Sequence, residues 1–359
     1  VAALAVVCAV GAPVAIATTS AADGQAMTTL PTPASQRATV RVGGPAPVAA
    51  TSTAQGFLGI ATELDTITDL SGTAADPDTP FIHVLSNLSP GASFLLRLGG
   101  NSGDDSYWPI PGMKKQPYLY TLTPGWGADV QALLKALGGK AILGVNLKVD
   151  SNVNSAIARA EVADFDRYVG ANLIDAFELG NEPEFYPLSV VNGGRGIDTI
   201  ADYGKKFSKV ASVLGGAPLA GPSSGSPHWL PKLGAVLSEL PSRLKLVTVH
   251  AYPLKDCSRL TRLSVSDFFA RASLQGLADS IHAAVRAAAA HGKPLRVDEI
   301  NGIPCGGDPG ISNSFGEALW ALNILPALWQ AGVQGVNFQT IDRAQNLNHM
   351  ITARHSTFG

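Results

Sequence analysis

Eight short apolar runs recur along the chain from Gly56 onward. They are Phe57–Ala61, Phe94–Leu98, Ala141–Leu147, Ile174–Leu179, Pro218–Ala220, Leu246–Val249, Leu295–Val297 and Gln334–Phe338. The runs are continuous rather than alternating, as strands buried on both faces must be. Segments with helical spacing lie between several of them: Asp129–Leu137, Asn154–Val169, Ile200–Leu214, Ser266–His291 and Ser314–Ala331. Strand and helix alternating eight times predicts an α/β architecture, a (β/α)8 TIM barrel, over residues 54–340. A doubly wound sheet would want a Gly-rich phosphate loop after its first strand, and none is present.

Two of the runs end in a carboxylate, Glu182 after Ile174–Leu179 and Glu299 after Leu295–Val297. Residues at the C-terminal tips of barrel strands line one mouth. Two carboxyls held there, one protonated and one ionised, are what glycoside hydrolysis requires. The triplet Asn181-Glu182-Pro183 adds an amide able to bond a sugar hydroxyl and a proline that fixes the backbone after the acid. Neighbouring acids compete for the two roles: Glu178 and Glu184 around Glu182, and Asp298 beside Glu299. Strand alternation places Asp298 on the face opposite Glu299, pointing away from the site.

A net charge of −2 with no basic run excludes a general nucleic-acid binder. Val1–Ala17 is almost wholly apolar and Ser20-Ala21-Ala22 offers a small-residue cleavage pattern. Residues 1–22 therefore read as a partial secretory signal, with an N-terminal anchor as the alternative. Residues 23–53 read as linker or surface wrap, and 341–359 as a tail. The expected localisation is secreted, with no membrane span in the mature chain. Setting Cys8 aside with the signal leaves Cys257 and Cys305. Both follow strands at one barrel mouth, where they form either a disulfide or two unpaired thiols. No Cys or His spacing suits a metal, and the chemistry calls for no cofactor.

The chain resembles glycoside hydrolase family 79, the β-glucuronidase and heparanase group of the Glu-Glu barrel clan. The resemblance is carried, in order, by Leu96-Arg97-Leu98-Gly99-Gly100-Asn101-Ser102, Phe177-Glu178-Leu179-Gly180-Asn181-Glu182-Pro183, Ala220-Gly221-Pro222-Ser223, Val249-His250-Ala251-Tyr252-Pro253, Asp298-Glu299-Ile300-Asn301 with Cys305-Gly306-Gly307, and Gly335-Val336-Asn337-Phe338. It implies Glu182 as acid/base, Glu299 as nucleophile, and Asn101, Asn181 and Tyr252 as sugar contacts. Tyr252 is further implied to bond the nucleophile, and the amides of Gly306 and Gly307 to bind a uronate carboxylate.

There are departures. Pro304 stands where some members carry a uronate-binding Tyr, and no Tyr follows Tyr252. The family's C-terminal β-sandwich has no counterpart strands after Phe338, so the expectation is a barrel whose sandwich is missing or truncated. His250 is read as a substrate contact or a core histidine, and Glu63 as a pocket residue or a structural hydrogen-bond partner. Asp104, Asp105, Tyr107 and Trp108 line the cleft or form a solvated loop, while Trp229 and Trp320 belong to the core. The expected activity is a secreted retaining β-glycosidase acting on β-glucuronides, its partner a carbohydrate or glycoconjugate. The alternatives are the same chemistry on a neutral sugar, or a non-catalytic carbohydrate-binding barrel.

Overall fold

Every one of the eight apolar runs becomes a strand in the computed structural model. It describes residues 56–341 apart from 90–92, 116–118, 150, 189–198, 226–227, 239, 255–256 and 258–261. The signal and linker expected over 1–53, and the tail beyond Ile341, lie outside the described residues. The strands are β1 (Leu58–Glu63), β2 (Leu95–Gly99), β3 (Lys140–Val145), β4 (Ile174–Leu179), β5 (Leu219–Ser224), β6 (Leu244–Ala251), β7 (Leu295–Ile300) and β8 (Gly335–Gln339). They pair in parallel and in sequence order around a closed barrel, β8 returning to β1 through Leu58 opposite Val336.

Helices return the chain on the outside: α1 (Thr79–Leu88), α2 (Pro124–Leu137), α3 (Ser151–Phe165), α4 (Ile200–Ala211), α5 (Leu233–Leu237), α6 (Leu277–Ala289) and α7 (Phe315–Ala331). Local chemistry sets their ends. Thr123 caps α2 by accepting from the Trp126 amide, with Pro124 in the first turn and Gly138 left-handed at its end. That cap starts α2 five residues before the periodic stretch at Asp129. The expected Ser266–His291 helix is broken instead. A 3-10 turn (Val265–Phe269) leads through extended Ala270 into a π turn (Ala272–Gly276), and only then into α6. Likewise α3 stops at Phe165 and a π turn carries the chain to Gly170, keeping Ile157, Val162, Phe165 and Val169 buried. Among the described residues no helix is long and apolar enough to cross a membrane.

The main core lies between strands and helices, where Trp320, Phe165, Phe177 and Phe207 are fully buried. Inside the barrel, Ile142, Ala176, Ala220 and Leu246 form an apolar layer. Arg296 bonds the side chain of Asn337 and the carbonyls of Gly56 and Phe57. It thereby ties β7 to β8 and to the chain entering β1. Burial lowers its pKa to about 10, still well above neutrality.

Candidate active site

Side chains from β4, β5 and β7, with Asn181 just after β4, converge on one buried cation, Arg97 of β2. Its Nε donates to Glu178 at 2.9 Å and its Nη1 to Glu299 at 2.8 Å. Nη2 donates to Asn181 Oδ1 at 2.7 Å and Ser223 Oγ at 3.0 Å. The planar guanidinium thus fixes side chains from four other positions in one plane. Nothing in the sequence marked Arg97 beyond its place in the second-strand motif. The available signal was a charge inside an apolar run, since a buried strand carries one only when it is partnered.

The structure brings Glu182 and Glu299 together across the mouth. A carboxylate oxygen of each and a ring nitrogen of His250 all lie within 4.8 Å of one another. Glu299 is nine-tenths buried and accepts from the Tyr252 hydroxyl at 2.6 Å. Burial alone would raise its pKa, but the charges of His250 and Arg97, with the Tyr252 hydrogen bond, hold it below the usual carboxylate value. Glu182 is half-buried, and its Oε1 meets His250 Nδ1 at 3.0 Å. The backbone at Glu182 is left-handed, with φ at 45°. Gly225 approaches this carboxylate so closely that a Cβ there would overlap it.

His250 is both of the things the sequence left open, buried and inside the site. Its Nε2 meets Ser223 Oγ at 2.9 Å. Burial opposes its charge, but Glu299, Glu182 and Asp298 outweigh that and raise its pKa to about 10. At neutral pH both ring nitrogens therefore carry hydrogen. Glu182, His250 and Glu299 are also a group among the described residues whose donor atoms could surround a metal. A pKa raised from an unfolded value of about 6.5 stabilises the fold fully below pH 6.5, and that stability is lost as pH rises toward 10. The melting temperature should fall over that window. His250→Gln should flatten the slope, and an unchanged slope in calorimetric scans at several pH values would refute the charge assignment.

Asp298 corrects the expectation from strand alternation. Val297 pairs with Val249 and Glu299 with His250, so Asp298 is an extra residue in β7. The register against β8 shifts at the same place. A bulge of this kind lets consecutive side chains face the same way. Both Asp298 and Glu299 enter the barrel, and Asp298 Oδ2 lies 3.6 Å from Arg97 Nε. Burial first, then the charge of Glu178, holds Asp298 well above the carboxylate range. Glu178 moves the other way: Arg97 outweighs its burial and keeps it ionised. Two buried cations, Arg97 and His250, thus face ionised Glu178 and Glu299.

Glu63 is structural. It accepts the amides of Asn101 and Ser102 at 3.2 and 2.6 Å, and burial raises its pKa. Gly100, at φ 62°, leaves room for that carboxyl, since a Cβ would overlap it. Asn101 is exposed at the mouth, and its Oδ1 accepts from Asn181 Nδ2 at 3.3 Å. The segment after it is no solvated loop: Asp104, Tyr107 and Trp108 are buried, and Trp108 stacks on Tyr168. Trp229 and Trp320 are core residues. Cys257 and Cys305 form a disulfide joining the loops after β6 and β7, with Cα atoms 5.3 Å apart. In the turn beyond it the Gly307 amide donates to Pro304 O at 3.1 Å, so one of the two amides expected to face a uronate is already engaged.

Fold and mouth define a (β/α)8 barrel with a charged, carboxylate-bearing C-terminal face. No family model matches the chain, and no curated protein matches it in sequence. Solved structures match it in fold. One is a 4-O-α-L-rhamnosyl-β-D-glucuronidase from Fusarium oxysporum 12S, with a TM-score of 0.67 and 19% identity over 86% of this chain and 68% of that one. Another is a monomeric β-xylosidase from Caulobacter crescentus CB15, at 0.52 and 16% over 78% and 59%. A third, a family 51 α-L-arabinofuranosidase from Bifidobacterium longum, scores 0.56 at 16% over 84% and 70%. The chain therefore spans about 60–70% of the length of these structures. At such identities the likeness establishes the barrel, and function rests on the site.

Proposed function

We propose that the protein is a secreted retaining β-glycosidase acting on β-glucuronides. The observation that carries this reading is the approach of Glu182 and Glu299 carboxylate oxygens to within 4.8 Å. So close an approach supports double displacement, which needs carboxyls about 5–5.5 Å apart; inversion would need room for a water, with carboxyls about 6.5–9.5 Å apart. The two carboxyls stand in different environments. Glu299 is buried, bonded by Arg97 and Tyr252 and held ionised. Glu182 is the more exposed of the two.

In this mechanism Glu182 gives its proton to the glycosidic oxygen as a Glu299 oxygen attacks the anomeric carbon. The aglycone leaves as an alcohol and an ester joins sugar to Glu299. Glu182, now a carboxylate, takes a proton from water as that water attacks the same carbon, and Glu299 departs ionised. Asn181 offers its amide nitrogen to the sugar 2-hydroxyl, since Arg97 holds its oxygen. The family 79 resemblance of the sequence motifs supports a uronate. Two observations favour a neutral sugar as the second reading: Pro304 at the family's Tyr position, and the engaged Gly307 amide.

The test is hydrolysis of chromogenic β-glucuronide, β-glucoside, β-galactoside and β-xyloside side by side, with the first-formed anomer followed by NMR. Glucuronide turnover releasing the β-anomer is the expected result. Turnover of a neutral sugar alone would remove the uronate. An α-anomer as first product would remove retention, and no turnover by soluble protein would favour a binding barrel.

A further inference from the structure

Asp104 ends the short helix Gly100–Asp104 that follows β2. Its side chain is buried, at 3% exposure, and faces three donors. Oδ1 accepts from the Leu147 amide at 2.9 Å. Oδ2 accepts from the Asn181 amide at 2.9 Å and the Tyr186 hydroxyl at 2.6 Å. Leu147 follows β3, while Asn181 and Tyr186 follow β4. One carboxylate therefore joins the ends of three neighbouring strands, and one of its bonds falls on the residue beside Glu182.

That position matters because Glu182 is strained. A non-glycine residue at φ 45° sits in a sparsely populated region. Such conformations cost roughly 1–3 kcal/mol and persist only where the surroundings fix them. On its C-terminal side the Phe185 amide donates to Glu182 O, and on its N-terminal side its own amide donates to Ser223 O, both at 2.9 Å. One residue earlier the restraint is Asp104, reinforced by Tyr186, whose hydroxyl also accepts from the Asn181 amide at 3.3 Å. Gly180, at φ 83°, lets this hydroxyl come close, since a Cβ there would lie 2.6 Å from it.

We propose that Asp104 is a positioning residue for proton transfer. It holds the Asn181–Glu182 backbone in the turn that aims the Glu182 carboxyl at the glycosidic oxygen, and it does not touch the sugar. The inference rests on Glu182 being the acid/base of a glycosidase. Asp104→Asn keeps the volume but turns an amide NH2 toward a donor that the carboxylate satisfied. Misaiming the acid should hurt most where the leaving group needs a proton. Activated dinitrophenyl leaving groups need almost none.

The experiment measures kcat/KM for wild type, Asp104→Asn and Tyr186→Phe on aryl glycosides of the hydrolysed sugar, spanning leaving groups from dinitrophenyl to unsubstituted phenyl. In Asp104→Asn the phenyl glycoside should lose about 10²-fold and the dinitrophenyl glycoside only about threefold, the lower range for removing general-acid assistance. Azide, a nucleophile needing no general base, should restore part of the kcat lost on the dinitrophenyl glycoside, where breakdown of the glycosyl-enzyme limits turnover. Tyr186→Phe, which removes one donor and keeps Asp104, should lose less but with the same leaving-group dependence. A uniform loss across the series without azide rescue would overturn the proposal and leave Asp104 a stabilising residue only. Should Asp104→Asn fail to fold, the Tyr186→Phe series decides by the same criterion. Wild-type protein that hydrolyses no aryl glycoside would instead refute the glycosidase reading, and this inference with it.

Discussion

Replacing Glu299 by glutamine is expected to cut glycoside turnover by roughly four to six orders of magnitude, the scale for removing a covalent nucleophile. The amide is nearly isosteric but cannot attack the anomeric carbon. It also fits its surroundings poorly. Arg97 Nη1 and the Tyr252 hydroxyl both donate to the carboxylate, each to a different oxygen. An amide presents one acceptor and one donor to that pair, so it keeps the Arg97 contact only if the Tyr252 hydroxyl turns to accept, and the charge that Arg97 faced is lost. Kinetics on the hydrolysed substrate, with far- and near-ultraviolet circular dichroism to show an intact fold, makes the check. A folded variant keeping more than about a hundredth of wild-type kcat would exclude Glu299 as nucleophile.

The second large effect concerns Arg97→Met. Methionine fills most of the volume but leaves Glu178 and Glu299 without the cation that bonds both. Breaking a buried ion pair from one side costs about 3–5 kcal/mol, because the remaining charge stays desolvated. Here two carboxylates lose their partner, and Asn181 and Ser223 each lose a donor. Urea unfolding should therefore show a loss at or above that range. Activity should fall as well, because Glu299 would rise toward its protonated form without Arg97. Arg97→Lys should recover part of the stability and little of the geometry, since an ammonium cannot reproduce the planar fork. Stability within about 1 kcal/mol of wild type for Arg97→Met would mean that Glu178 and Glu299 are compensated by other groups.

Several parts of this protein were legible along the chain because they depend on neighbours in sequence. The strands are runs of apolar residues, and each of the eight runs became one. The acids Glu182 and Glu299 were visible because each follows such a run and parallel strands deliver their tips to one mouth. Helix starts were less legible. The side-chain cap at Thr123 moved the start of α2 ahead of its apolar repeat, and Ala270 interrupted the stretch before α6.

What the tertiary structure alone decided is the site's electrostatics and its aim. The bond from Arg97 to Glu299 joins residues 202 apart, and the Asp104 bond to Asn181 spans 77. No periodicity records such partners. Asp298 turned inward because the register of β7 slips against both neighbours, a property of pairing and not of the strand's own sequence. His250 acquired its charge from carboxylates on other strands. The pairing of Cys257 with Cys305 depended on two loops meeting. Sequence determined which residues are strand, helix and strand tip, since those follow from local hydrophobicity. Structure determined which buried charges face each other, since desolvation and Coulomb energy depend on distances that only barrel closure sets.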